Sequence, residues 1–272
     1  MIDILTMYYR DHYGIVQSGD LYPIQCGRSD AREEEILVMD GDDTGLNISD
    51  RNKYWSEITG LYWYWKNCEH ADIVGLCSYR RFFNLKNPWR KAFIVHKSEE
   101  FSSRYRRDYE QVVSILENHD VILPKRYLYR SSIYQICRRN YRIRDFEILQ
   151  EVIEDKYPAY ITTFNRIFYD NNELLGHNMF IFKRDLFKSY CTWVFDILLE
   201  TERRTNPTDY PVNQIRLYGY FHELLLDCYV RHHNLREYHS QLLWIDDTHK
   251  SVRFDWPLYR LGCRILYFLK KR

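Results

Sequence analysis

Apolar positions along the chain fall into two kinds of run. Short, nearly continuous runs predict strands: residues 2–8, 22–27, 72–83 in their first part, 120–124, 176–182 and 238–245. Other segments repeat apolar residues at i, i+3, i+4 and i+7, the spacing of one helix face. Residues 52–66 do so with Ile58, Leu61, Tyr62 and Trp65, opened by Asn52 as an N-cap and closed by Asn67 as a left-handed C-cap. Helices are predicted in the same way over 109–117, over 132–156 with the stripe Ile143, Phe146, Leu149 and Ile153, from Pro158 to about 169, over 185–202 and over 213–231. Between them lie a polar loop at 10–14, a charged stretch at 29–35 and the turn-rich loop 39–49. Helix followed by buried strand occurs twice, at 52–78 and 109–124, which predicts an α/β fold with a largely parallel sheet and a helix-rich C-terminal half.

Composition narrows this picture. A chain of 272 residues can bury a large core without disulfides. Its 39 Lys and Arg against 38 Asp and Glu, net +1, give no global field toward nucleic acid, so electrostatic targeting must be local. Seven scattered cysteines without a C-x-x-C pair read as reduced core thiols of a cytosolic protein. No secretory signal and no apolar run long enough to span a bilayer is expected. The division expected is one domain over residues 1–255 and a basic amphipathic segment over 256–272. That segment mixes bulky apolar residues with cations, as either an interfacial helix or one packed on the body would.

The chemistry concentrates where the run Ile73-Val-Gly-Leu-Cys-Ser78 breaks into Tyr79, Arg80 and Arg81. A strand buried on both faces delivers such residues to the carboxyl edge of its sheet, where ligands bind in open α/β folds. Two guanidiniums there suit a phosphate or carboxylate.

Several ordered blocks carry a resemblance: Asp42-Asp-Thr-Gly-Leu-Asn-Ile-Ser49, Tyr62-Trp-Tyr-Trp-Lys-Asn67, Gly75-Leu-Cys-Ser-Tyr-Arg-Arg-Phe-Phe83, Asn178-Met-Phe-Ile181 and Tyr190-Cys-Thr-Trp-Val-Phe195. Together they resemble a bacterial family of uncharacterised-domain proteins encoded with capsule, exopolysaccharide and O-antigen assembly systems, some of whose members are glycosyltransferases, galactofuranosyltransferases among them. The resemblance covers about residues 22–229. It departs from the family pattern at Ser78, where the family has His, and at Leu46, where it has Asp, so neither position offers an imidazole or a carboxylate. It implies a single Rossmann-like, GT-A-type nucleotide-sugar transferase fold. The implied partners are a nucleotide-sugar donor, UDP-linked, and a glycan or lipid-linked glycan acceptor, on the inner face of the cytoplasmic membrane. The alternative is a non-catalytic carbohydrate- or nucleotide-binding module of the same fold.

Glycosyl transfer must stabilise charge on a leaving diphosphate and, with inversion, remove a proton from the acceptor hydroxyl. Arg80 and Arg81 are expected to supply the first, in place of a metal, and Glu223 the second. Gln25, Gly27, Asp42, Asp43, Thr44, Asn47, Ser49, Glu57 and Tyr79 are expected on the sugar-donor side, and His177 and Asn178 on the acceptor side. Turn geometry alone accounts equally for the 42–49 loop. No cofactor is firmly implied; Mn2+ or Mg2+ at Asp42 and Asp43 is the alternative to the arginines. The cations Lys125, Arg126, Arg130, Arg138, Arg139, Arg142 and Arg144 form either a solvated helix face or a surface for an anionic acceptor or membrane.

Overall fold

A computed structural model describes residues 1–9, 19–31, 36, 38–86, 92–94, 110–211, 214–245 and 257–270. The predicted loop at 10–14 and part of the charged stretch 29–35 lie outside them. The chain divides into two units, the first comprising Met1–Lys125, His177–Thr192 and Leu235–Lys250, the second Arg126–Gly176, Trp193–Asn234 and Ser251–Arg272.

The first unit is built on strands β1 (Ile2–Tyr8), β2 (Leu21–Gln25), β3 (Asp40–Gly41), β4 (Ile73–Ser78), β5 (Arg81–Phe83), β6 (Ala92–Ile94) and β7 (Val121–Pro124). Farther along the chain, β10 (Phe180–Lys183), β11 (Glu237–Ser240) and β12 (Leu242–Ile245) join them. The main sheet runs β11-β7-β10-β4-β1-β2-β3. Every neighbouring pair is parallel except those made by β10, which runs against both β4 and β7. The short strands β5, β6 and β12 form a ribbon that branches from the end of β4 through the Ser78 and Arg81 pair. This is the parallel-rich α/β sheet expected from the sequence.

Strand β4 is central because five of its six residues are buried and both its edges are taken, by β1 and β10. Its Gly75 is required by a close approach: a Cβ there would stand 2.6 Å from Ile4 Cδ1 and 3.2 Å from the Phe180 carbonyl oxygen. Ile4, Cys77, Phe82, Phe83, Ile122, Ile181 and Leu243 belong to one buried cluster with Val112 and Leu116 of a helix over Val112–Asn118.

The helix expected over 52–66 is two helices, α1 (Asn52–Trp55) and α2 (Ile58–Asn67). Ser56 breaks it with φ 57°, and the Asn52 side chain stabilises the break instead of capping a start, donating to Ser56 O at 2.8 Å and Thr59 Oγ1 at 3.1 Å. Asn67 likewise remains helical; its left-handed role is absent and its side chain clasps a loop described below. With Val112–Asn118 as α3, the second unit holds α4 (Ile133–Asn140), α5 (Ile143–Lys156), α6 (Ile161–Phe168), α8 (Leu217–His232), α9 (Pro257–Lys270) and the ribbon β8 (Tyr127–Leu128) with β9 (Glu173–Leu174). Helix α7 (Arg184–Arg204) starts in the first unit and ends in the second. The single helix expected over 132–156 is split because Tyr141 is extended, at φ −138°, between α4 and α5. Ser132 caps α4, accepting from Gln135 N at 3.3 Å. Within the second unit Phe146 stacks on Phe168 at 5.6 Å and meets Phe221 edge-on at 4.9 Å, which ties α5, α6 and α8 together.

Candidate functional site

Register aligns Met7 with both Ile24 and Ser78, so β1, β2 and β4 end level and open onto one carboxyl edge. Tyr8, Gln25 to Gly27 and Ser78 to Arg81 emerge there. Because β10 runs against β4, the segment entering it, His177 and Asn178, reaches the same edge. These residues all belong to the first unit.

On one side of the edge, a loop is folded around Asp42. Its fully buried carboxylate accepts from Gly27 N at 3.0 Å, Arg28 N at 3.2 Å and Ser49 Oγ at 2.5 Å. Gly27 takes φ 70°, a conformation open to glycine at little cost. Gln25 is also buried and accepts from Arg28 Nε at 3.0 Å and Ile36 N at 2.9 Å. Farther out, Asp43, Thr44 and Asn47 are exposed. Asn47 Nδ2 donates to Asp43 O and Gly45 O, both at 3.1 Å, while Thr44 Oγ1 accepts from Trp63 Nε1 at 2.9 Å. Asn67 completes the clasp by accepting from Leu46 N and donating to Leu46 O, both at 2.9 Å. The loop is thus held from beneath, with its exposed tip turned to solvent.

At the end of β4, cross-strand pairing puts Ser78 beside Arg81 and Arg81 beside Trp244. Paired residues share a sheet face. This row carries three buried polar atoms without a hydrogen-bond partner among the described residues: Ser78 Oγ, Arg81 Nε and Trp244 Nε1. Buried polar atoms in native proteins are nearly always satisfied, so such a row calls for an acceptor. The Arg81 guanidinium also lies 5.4 Å from the Trp244 ring and donates through Nη1 to His177 Nδ1, and the His177 ring meets Trp244 edge-on at 5.3 Å. Arg80 instead lies over Tyr79, 5.1 Å from its ring centre, with Tyr79 6.0 Å from Tyr8.

His177 and Asn178 have φ 75° and 52°, a left-handed pair without glycine. Each such residue costs about 1–2 kcal/mol, and strain of this kind collects at functional sites. The buried Asn178 side chain donates to Glu57 Oε1 at 3.1 Å, just ahead of α2.

Arg81, His177, Asn178 and Glu57 are therefore joined by contacts, as are Gln25, Gly27, Asp42 and Ser49. Glu223 belongs to the second unit, half-buried on α8. After burial itself, its charge is the next influence holding the Tyr129 phenol above its ordinary pKa, whereas Tyr141 is raised by burial and then by Tyr220, with Glu223 the smallest influence. The basic stretch has individual partners: Arg126 bonds Asp227 Oδ1 through Nε at 2.9 Å and Nη2 at 2.8 Å, Arg144 pairs with Glu151 at 2.7 Å, and Arg142 covers Tyr210 at 4.4 Å. Arg138 and Arg139 are exposed. Among the described residues no three His, Cys, Asp or Glu side chains converge in a metal-holding group. Trp244 and Arg28 carry no signal in the sequence that marks them for the site. Only the β5–β12 register brings Trp244 to Arg81, and its neighbours in sequence are apolar.

A family profile described as "Domain of unknown function (DUF4422)" matches residues 3–234. The fold is similar to a solved ligand-free structure of the bifunctional glycosyltransferase WbbM, with a TM-score of 0.82 and 26% identity over 90% of this chain. The chain spans 45% of that protein, less than half its length. No curated protein matches the sequence.

Proposed function

The chain belongs to the DUF4422 family, and on that premise we propose that it is a glycosyltransferase, moving a sugar from a UDP-linked donor to a growing capsule, exopolysaccharide or O-antigen glycan. Similarity to a glycosyltransferase supports the reaction class. The observation that carries the site is the row Ser78, Arg81 and Trp244, with its three buried polar atoms wanting an acceptor at the carboxyl edge.

In the reaction the acceptor hydroxyl oxygen attacks the anomeric carbon, the bond to the diphosphate breaks, and its electron pair leaves with the phosphate oxygen. Arg81 meets that growing charge, with Ser78 Oγ and Trp244 Nε1 donating beside it and Arg80 as a second cation. The His177 contact fixes the Arg81 guanidinium, so little reorganisation is needed as charge develops. The 43–47 tip is suited to nucleotide or ribose contacts, presented by the Asp42 latch. Asn178, oriented by Glu57, positions acceptor hydroxyls. With inversion the hydroxyl proton passes to a carboxylate base, the role the sequence reading gives to Glu223.

The donor set does not favour a resident divalent ion at Asp42 and Asp43. Three donors already occupy the Asp42 oxygens.

A panel of nucleotide sugars tests the reading, following nucleotide release with and without glycan acceptors and with and without chelator. Acceptor-dependent release from a UDP-sugar that persists in chelator is expected. Nucleotide binding without release from any donor would instead favour a binding module.

A further inference from the structure

Helix α9 (Pro257–Lys270) lies on the second unit with its polar side inward. Tyr267 Oη donates to Asp170 O at 2.5 Å, Arg260 Nη1 donates to Arg126 O at 3.0 Å, the Tyr259 ring receives the Arg130 guanidinium at 5.5 Å, and Cys263 is fully buried. These residues occupy one helix face. The opposite face carries Leu258, Leu261, Ile265 and Leu269, exposed by 81, 55, 51 and 61% and spaced by three, four and four residues. An ordinary surface helix has the reverse orientation, apolar stripe toward the core. Burial in the body, one of the two roles the sequence allowed for this segment, leaves this stripe uncovered among the described residues.

We infer that α9 docks this chain on an anionic lipid surface, its apolar stripe entering the headgroup–acyl boundary and Arg264, at the border of that stripe, meeting lipid phosphates. Charge selects this occupant over a second copy of the chain. The helix PLYRLGCRILYFLK contains no acid and three cations, Arg260 on its inward face, Arg264 and Lys270, and the sequence continues with Lys271 and Arg272, so the segment as a whole is positive. Two such helices face to face would oppose like charges, whereas an anionic bilayer complements them. Arg264, at the border of the stripe, is 67% exposed and stands 3.9 Å from Glu173, a long, solvent-screened pairing that a lipid phosphate can displace. Fourteen residues rise about 21 Å, short of a hydrocarbon core of about 30 Å, and no helix among the described residues is long and apolar enough to cross a membrane. The helix therefore lies in the interface plane. This inference does not depend on the reaction proposed above.

Co-sedimentation of the full chain with phosphatidylcholine vesicles, with and without about one-third phosphatidylglycerol, is the test. Binding is expected on the anionic vesicles and should weaken as salt shortens the Debye length. Leu261→Glu with Ile265→Glu should reduce it at least about tenfold, since carboxylates replace apolar area in the boundary. Arg264→Gln should reduce it about fivefold, one cation's share. Both variants change exposed positions, and unchanged circular dichroism confirms their fold. Equal binding to neutral and anionic vesicles, or none to either, overturns the inference. So does a dimer, seen by light scattering, that the Leu261→Glu, Ile265→Glu variant dissolves.

Discussion

Asp42→Asn isolates what the buried carboxylate does. The native group takes three hydrogen bonds, from Gly27 N and Arg28 N on the backbone and from Ser49 Oγ. Asparagine has nearly the same shape but one acceptor oxygen. If that oxygen keeps the Arg28 and Ser49 bonds, the amide nitrogen meets Gly27 N–H, donor against donor. A buried unsatisfied donor costs about 1–3 kcal/mol. The two surviving bonds lose their charge assistance, about 1 kcal/mol more. A destabilisation of about 2–4 kcal/mol follows, read from urea unfolding by linear extrapolation. Ser49→Ala removes one of these bonds together with the Ser29 N contact to Ser49 Oγ, and should cost less, about 1 kcal/mol. If Asp42→Asn unfolds within about 0.5 kcal/mol of the native chain, Asp42 is not the latch of this loop.

Two further outcomes bear on the second unit. Burial lowers the His222 pKa to about 3, so the unfolded chain takes up a proton near its ordinary value of about 6.5 that the folded chain refuses. Its contribution is complete above about pH 6.5 and is lost as pH falls toward 3, by about 1.4 kcal/mol per unit, with His232 and His233 shifted in the same direction. Urea midpoints that stay level between about pH 6.5 and 5 would contradict this. Asp227, fully buried, holds Arg126 and Arg231 and accepts from Leu175 N at 3.4 Å. Asp227→Ala should cost about 3–5 kcal/mol by leaving two guanidiniums without their carboxylate, and a loss below about 1 kcal/mol would refute the assignment.

Much of the architecture is legible in the sequence because it rests on local pattern. Strand β1 falls on the predicted residues, and β4 is recognisable as a strand buried on both faces with arginines at its end. What local pattern misses is broken continuity and long-range pairing. The amphipathic period runs through Ser56 and Tyr141 unchanged, although their backbones interrupt the helices. Asn52 and Asn67 have the side chains expected of caps, yet their hydrogen bonds go to a break and to a loop twenty-one residues away. In the site, the arginine pair is visible in the chain, but the different surroundings of Arg80 and Arg81 follow from the β4–β5–β12 register. His177 and Asn178 are visible as polar residues entering a strand; their left-handed backbone is not, since neither is glycine.

Whether Arg81 stabilises a leaving diphosphate is decided by single-turnover release of UDP from the UDP-sugar that the wild-type chain uses, in chelator, with Arg81→Lys beside it. Lysine keeps the charge but loses the planar fork and its Nε. The wild type should turn over in chelator, and Arg81→Lys should fall at least about hundredfold, about 2.7 kcal/mol of barrier, with its unfolding midpoint unchanged. Release from Arg81→Lys at the wild-type rate, or a wild type inert until a divalent ion is added, would mean that Arg81 does not carry this role.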